Sequence, residues 1–173
     1  DCANWANARL IRDPSASKAL PESPIDVAQF ALVASWNPNF MTGTKAGRVE
    51  EMPTEDVAPY TEVAASRDGT YEVPATDGRG CLGLQWYENR LLRRVALEFP
   101  NEAAMPPAES IELQYWTGQS TWQGQWRPAG ITPRQEGNTL TWSFGLRDLP
   151  RGTPKVRWVF SGEKLDEERP IVV

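Results

Sequence analysis

Histidine is missing from all 173 residues. Its absence removes the commonest general base and the commonest metal ligand. A Ser-His-Asp triad, a Cys-His pair and every histidine-containing zinc site are thereby excluded. Cysteine is scarce: Cys2 and Cys81 are the only two, too few to make a structural zinc centre. Basic blocks are lacking as well. The nearest is the pair Arg93-Arg94, and 18 basic against 23 acidic residues leave a net charge of −5. Neutralising phosphates needs a positive face, so nucleic acid is not an expected partner. No run approaches the roughly 18 apolar residues that would span a bilayer, so membrane insertion is not expected. The chain opens at Asp1 without the charged-then-apolar pattern of a signal peptide.

What is present points to a globular β protein. Hydrophobic residues make up 40% of the chain, enough for a packed core. The length predicts one domain over residues 1–173. Fifteen prolines and thirteen glycines cut the chain into runs too short for most helices. The runs between them are rich in Val, Leu, Trp, Tyr, Phe and Thr, as strands are. Ala6 to Ile11, Tyr60 to Ala65 and Gly124 to Ile131 (interrupted at Pro128) are candidate strands. Val27 to Trp36 reads as strand or helix. Cys81 to Trp86 precedes an expected turn at Tyr87-Glu88-Asn89. In the run from Leu91 to Phe99, Leu91, Val95, Leu97 and Phe99 are expected on one side.

The clearest alternation lies further on. Ile111, Leu113 and Tyr115 oppose Glu112, Gln114 and Trp116; Leu140, Trp142 and Phe144 oppose Thr139, Thr141 and Ser143; Val156, Trp158 and Phe160 oppose Lys155, Arg157 and Val159. Ile171 to Val173 closes the set as an edge strand. Eight or so short strands with no helical crossovers predict an all-β, antiparallel β-sandwich or jelly roll. The polar stretch from Asn37 to Thr54 predicts a long loop, where rigid sandwiches usually place binding.

Eight tryptophans are the unusual feature. An indole face is a flat apolar ledge for the C–H face of a pyranose, with Asn, Gln and Arg bonding its hydroxyls. Alternation expects Trp142 and Trp158 in the core, and Trp86 and Trp116 buried or half-buried. Trp36, Trp122 and Trp126 sit beside Gly, Pro and Asn, where either placement is open. Two segments could therefore bind sugar: Trp36, Asn37, Asn39 and Phe40, and Trp122, Gln125, Trp126 and Arg127. Cys2 and Cys81 suit an oxidising compartment and are expected to bridge, two buried free thiols being the other possibility.

Leu82 to Phe160 resembles the galactose-binding-like jelly roll, the superfamily of discoidin (coagulation factor type C) domains and many carbohydrate-binding modules. The resemblance is carried by Trp86-Tyr87-Glu88-Asn89-Arg90, by Leu91 to Phe99, and by Ile111-Glu112-Leu113-Gln114-Tyr115-Trp116. Gly118 to Trp122, Trp142-Ser143-Phe144 and Val156-Arg157-Trp158-Val159-Phe160 follow in family order, and Ala64 to Gly69 resembles the family's opening strand and Asp-Gly turn. The resemblance implies polysaccharide or oligosaccharide as partner, an attached catalytic domain, and a chain that is part of a larger polysaccharide-degrading enzyme. It implies an extracellular, periplasmic or cell-surface location and a structural calcium ion. Asp68 and Asp77, each before a glycine, are the candidate ligands, beside the acidic loop of Glu50, Glu51, Glu55 and Asp56. A solvated acidic loop explains the same residues.

No catalytic residue is assigned. Carboxylate pairs abound in a chain with 23 acids, but a glycosidase needs a deep cleft that small sandwiches seldom supply. The expectation is a non-catalytic carbohydrate-binding domain; the alternative is an interaction module packed against a neighbouring domain or partner.

Overall fold

The computed structural model describes residues 25–39, 41, 60–76, 78–118, 120–121, 123–145, 152–162 and 170–173. They form ten strands: β1 (Leu32–Ser35), β2 (Thr61–Glu62), β3 (Ala75–Thr76), β4 (Arg79–Arg90), β5 (Arg94–Glu98), β6 (Ile111–Gly118), β7 (Gly124–Pro128), β8 (Arg134–Glu136), β9 (Thr139–Ser143) and β10 (Thr153–Ser161). The larger sheet runs β2-β1-β4-β10-β6-β7, with β3 pairing along β4; the smaller runs β5-β9-β8. Every pairing is antiparallel. The molecule is thus an all-β sandwich, as composition and periodicity predict.

The two sheets meet through the faces that alternation marks. Leu82, Leu113, Val156, Trp158 and Phe160 pack against Val95, Leu97, Leu140 and Trp142. The Trp142 and Trp158 rings lie 6.2 Å apart at 57°, a tilted aromatic pair. Neither indole N–H finds a hydrogen-bond partner. These side chains hold the core by area alone, about 2 kcal/mol for each large apolar group fully buried. Register follows the pattern: Trp158 sits opposite Leu82 on β4 and Leu113 on β6.

Several boundaries differ from expectation. β4 runs straight through Tyr87-Glu88-Asn89 to Arg90, because Thr153 of β10 pairs with Arg90 and extends the ladder past the supposed turn. Leu91 is exposed rather than aligned with Val95, Leu97 and Phe99, because the chain is changing sheets there and β5 begins only at Arg94. Val27 to Trp36 splits into a 3-10 turn (Ala28–Phe30) and the short β1. Tyr60 to Ala65 contracts to the two residues of β2. The end of the chain makes an isolated bridge, Val172 with Glu72, instead of an edge strand. Ala6 to Ile11, and residues 42–54 of the expected loop, lie outside the described residues.

β10 departs most from a half-buried strand. Thr153 to Phe160 are all buried, so its polar side is covered as fully as its apolar side. Gly83 makes part of this possible. A Cβ there would fall on the Val156 carbonyl oxygen and lie 2.8 Å from the Arg157 Cα.

Candidate functional site

The second face of the larger sheet carries a cluster separate from the sandwich core. Ala34, Trp36, Cys81, Trp116 and Trp126 pack together, with Leu32 and Tyr60 against them. Trp36 and Trp116 each meet Trp126 edge-on, at 5.2 Å and 5.3 Å between ring centroids. Alternation along β10 places Lys155 and Arg157 on this face. Lys155 Nζ lies 4.5 Å from the Trp116 ring centroid, 5.7 Å from that of Trp36 and 6.0 Å from that of Trp126. The Arg157 guanidinium lies 4.4 Å over Trp126. Indole faces are the best cation–π partners, which offsets part of the cost of taking two cations out of water.

Hydrogen bonds fix Arg157 further. Its Nε donates to Gln114 Oε1 at 2.7 Å, and Nη1 donates to the Asn37 carbonyl at 3.2 Å. Gln114 Nε2 in turn donates to the Glu112 carboxylate. Nη2 reaches the Met41 sulfur at 3.6 Å. Burial pulls the guanidinium down to about 10, so it stays charged at neutral pH. Burial first, and then the charge of Arg157, pull Lys155 down to about 8. Cys81, paired opposite Val159, has its thiol pushed up by burial, against the pull of Arg157.

The two segments named from the sequence do come together. The Trp36 and Trp126 rings meet at 5.2 Å, and the Trp126 backbone N–H donates to the Met41 carbonyl just beyond the first segment at 2.6 Å. Arg127 is exposed and Gln125 half-buried. Trp36 and Trp126, whose placement the sequence left open, form no exposed platform. Both indoles are buried, and so are Trp86, Trp116, Trp142 and Trp158, making all six described indoles interior. The rings pack edge-on against one another, Tyr60 tilts against Trp36, and Lys155 and Arg157 lie over them. Phe40 and Trp122 lie outside the described residues.

The other site expectations divide similarly. Cys81 is a free, buried thiol and no disulfide forms among the described residues; Cys2 lies outside them. Asp68 uses its carboxylate within its own turn, accepting from the Ser66 and Thr70 hydroxyls, which hold its carboxyl down to about 2. No group of three acidic or thiol side chains gathers among the described residues, so Asp68 alone falls well short of a six-oxygen calcium shell. Asp77, Glu50, Glu51, Glu55 and Asp56 lie outside the described residues.

A different aromatic feature stands in solvent. Tyr87, near the end of β4, is 97% exposed and Phe30 is 65% exposed. β1 sets Leu32 opposite Gln85, and the Ala28–Phe30 turn precedes it. The Trp86 indole N–H donates to the Val27 carbonyl at 2.8 Å, tying the Ala28–Phe30 turn to this end of β4. Thr153 pairs with Arg90, and its hydroxyl donates to the Trp116 carbonyl at 2.8 Å. The β4–β5 connection and the β6–β7 turn therefore share one end of the sandwich. Sequence reasoning missed Tyr87 because it sits inside an expected turn, where an aromatic residue carries no periodic signal.

No known family model matches the chain, and no curated protein matches it.

Proposed function

We propose that this domain is a non-catalytic carbohydrate-binding module that contacts sugar at the Tyr87–Phe30 rim. One observation carries the reading: Tyr87 is left almost wholly in water while every described indole is buried. A tyrosine ring on a hydrogen-bonded strand is rigid, flat and amphipathic, which suits stacking on a pyranose at small entropic cost. Gln29 beside Phe30 and Asn89 two residues beyond Tyr87 supply amides of the kind that bond hydroxyls. The resemblance to galactose-binding-like modules agrees with a loop-end site, and the lack of histidine agrees with binding rather than chemistry.

Affinity gel electrophoresis against a panel of soluble polysaccharides tests this. Retardation by at least one polysaccharide, lost in Tyr87→Ala and weakened in Phe30→Ala, is the expected result. Migration unchanged across the whole panel removes the reading.

A second reading has its own support. Leu91 and Ile25, exposed by 73% and 61%, add aliphatic surface near the same end, and aliphatic groups suit a protein neighbour better than a sugar. A docking module would show no polysaccharide retardation while binding an adjoining domain in trans, with that binding lost in Leu91→Asp.

A further inference from the structure

We infer that the open edge of β5 is a self-pairing surface whose partner is the same strand of a second copy of this chain. β5 is the terminal strand of the smaller sheet, bonded to β9 on one side and to no described strand on the other. The Phe144 N–H donates to the Arg93 carbonyl at 2.8 Å and the Phe99 N–H to the Asn138 carbonyl at 2.9 Å, both in register with the β5–β9 ladder. Hydrogen-bonded pairs alternate along an antiparallel ladder. Arg93, Val95, Leu97 and Phe99 therefore turn their backbone groups to β9, and Arg94, Ala96 and Glu98 turn theirs to the open edge. The side chains of those last three are exposed, while Val95 and Leu97 are buried in the core.

The strand sequence Arg-Val-Ala-Leu-Glu is complementary to itself when reversed. About a two-fold axis at Ala96, Arg94 lies opposite the partner's Glu98, Ala96 opposite the partner's Ala96, and Glu98 opposite the partner's Arg94. These are the same residues whose N–H and C=O groups β9 leaves unclaimed, so the register of charge and the register of backbone bonding coincide. Each facing pair then exchanges two N–H···O=C bonds. Opposite charges facing across a ladder stabilise it, and the small Ala96 leaves the centre unobstructed. Within one chain Arg94 and Glu98 stand about 13 Å apart along the strand, too far to neutralise each other. Among the described residues neither is ion-paired. Pro100, with no N–H to donate, ends the pairing just past Glu98. The other edges are blunted, as lone edges usually are. β2 has two residues; β8 has three and joins its own Arg134 and Glu136 at 2.7 Å; on β7 the Trp126 N–H already donates to the Met41 carbonyl. Pairing through β5 joins the smaller sheets of two copies into one continuous sheet.

Sedimentation velocity of the full chain, from micromolar to near-millimolar concentration, tests this. Expected is a reversible monomer–dimer equilibrium. Arg94→Glu and Glu98→Arg each set like charges opposite one another twice per dimer, and each is expected to weaken dimerisation by about fivefold or more. The double variant Arg94→Glu/Glu98→Arg restores opposite pairs and is expected to return the dissociation constant to within about twofold of wild type. Ala96→Pro removes the central N–H, which β9 does not use, and is expected to abolish the dimer. A monomer at every concentration overturns the inference. So does a dimer unmoved by either single reversal or by Ala96→Pro, or one that the reversals weaken and the double variant fails to restore. Circular dichroism of each variant, expected unchanged for the exposed Arg94 and Glu98, separates lost pairing from lost folding. Self-association is measured without sugar, so its outcome is distinct from that of the polysaccharide gels.

Discussion

Arg157 Nε donates to Gln114 Oε1 at 2.7 Å between two fully buried side chains on adjacent central strands. The pair ties β10 to β6 on the face away from the sandwich core. Leaving a buried acceptor without its donor costs about 1–3 kcal/mol, whereas removing both partners costs less. Arg157→Met is therefore expected to lower unfolding stability by about that amount, read from the urea midpoint. Adding Gln114→Leu should restore part of the loss, and a double-mutant cycle measures the coupling.

Lys155 gives the fold a pH dependence of unusual sign. Its folded-state pKa, about 8, lies below the ordinary lysine value of 10.5, because burial and Arg157 disfavour its charge. Between these values the unfolded chain binds the proton and the folded chain does not, so this group's contribution to stability rises with pH from about 8 to 10.5. Cys81 works the other way, since its raised thiol pKa makes the unfolded chain ionise first. The wild-type minus Lys155→Met difference in urea-derived stability isolates the lysine. That difference should grow in favour of wild type across pH 8 to 10.5 and stay level from pH 6 to 7.

Gly83 and Gly162 make a matched pair of substitutions. An alanine Cβ at Gly83 meets the backbone of Val156 and Arg157 on the central strand, which cannot rotate away as a side chain could. Gly83→Ala should cost at least about 1–3 kcal/mol through overpacking. Gly162→Ala meets nothing within 4 Å and should change stability by less than about 0.5 kcal/mol. Thermal melts of the two variants side by side check both values.

Cys81 should behave as a core residue towards thiol reagents. It is buried and free, and burial keeps it protonated. In a Cys2→Ser background, Ellman's reagent at pH 8 is expected to report almost no reaction in native buffer and one equivalent in denaturant. Rapid native reaction would show that this face opens without global unfolding.

The sandwich was legible because its inner faces alternate. Val156-Trp158-Phe160, Leu140-Trp142 and Ile111-Leu113 all lie on the core side, as a period of two requires. The second buried face was not legible. Lys155 and Arg157 look like solvent-facing residues in any alternation count, yet their charged heads lie over the indoles of Trp36, Trp116 and Trp126. That cover comes from residues up to about 120 positions away, such as Asn37 on Arg157. The same long-range packing decides Trp36 and Trp126, open either way from the sequence, as interior groups. Tyr87 escaped notice for a local reason: nothing before it in the sequence announces that β4 continues another turn's length beyond Trp86.

β10 also sets the order in which this architecture can be assembled. It lies between β4 and β6, which do not pair with each other, and it begins only at residue 153. Until that segment has been synthesised, the two longest remaining strands of the sheet keep raw edges and the three indoles of the outer face have no cations to close upon. Chains lacking this strand would leave one edge each of β4 and β6 unpaired, and unpaired edges invite pairing with other chains.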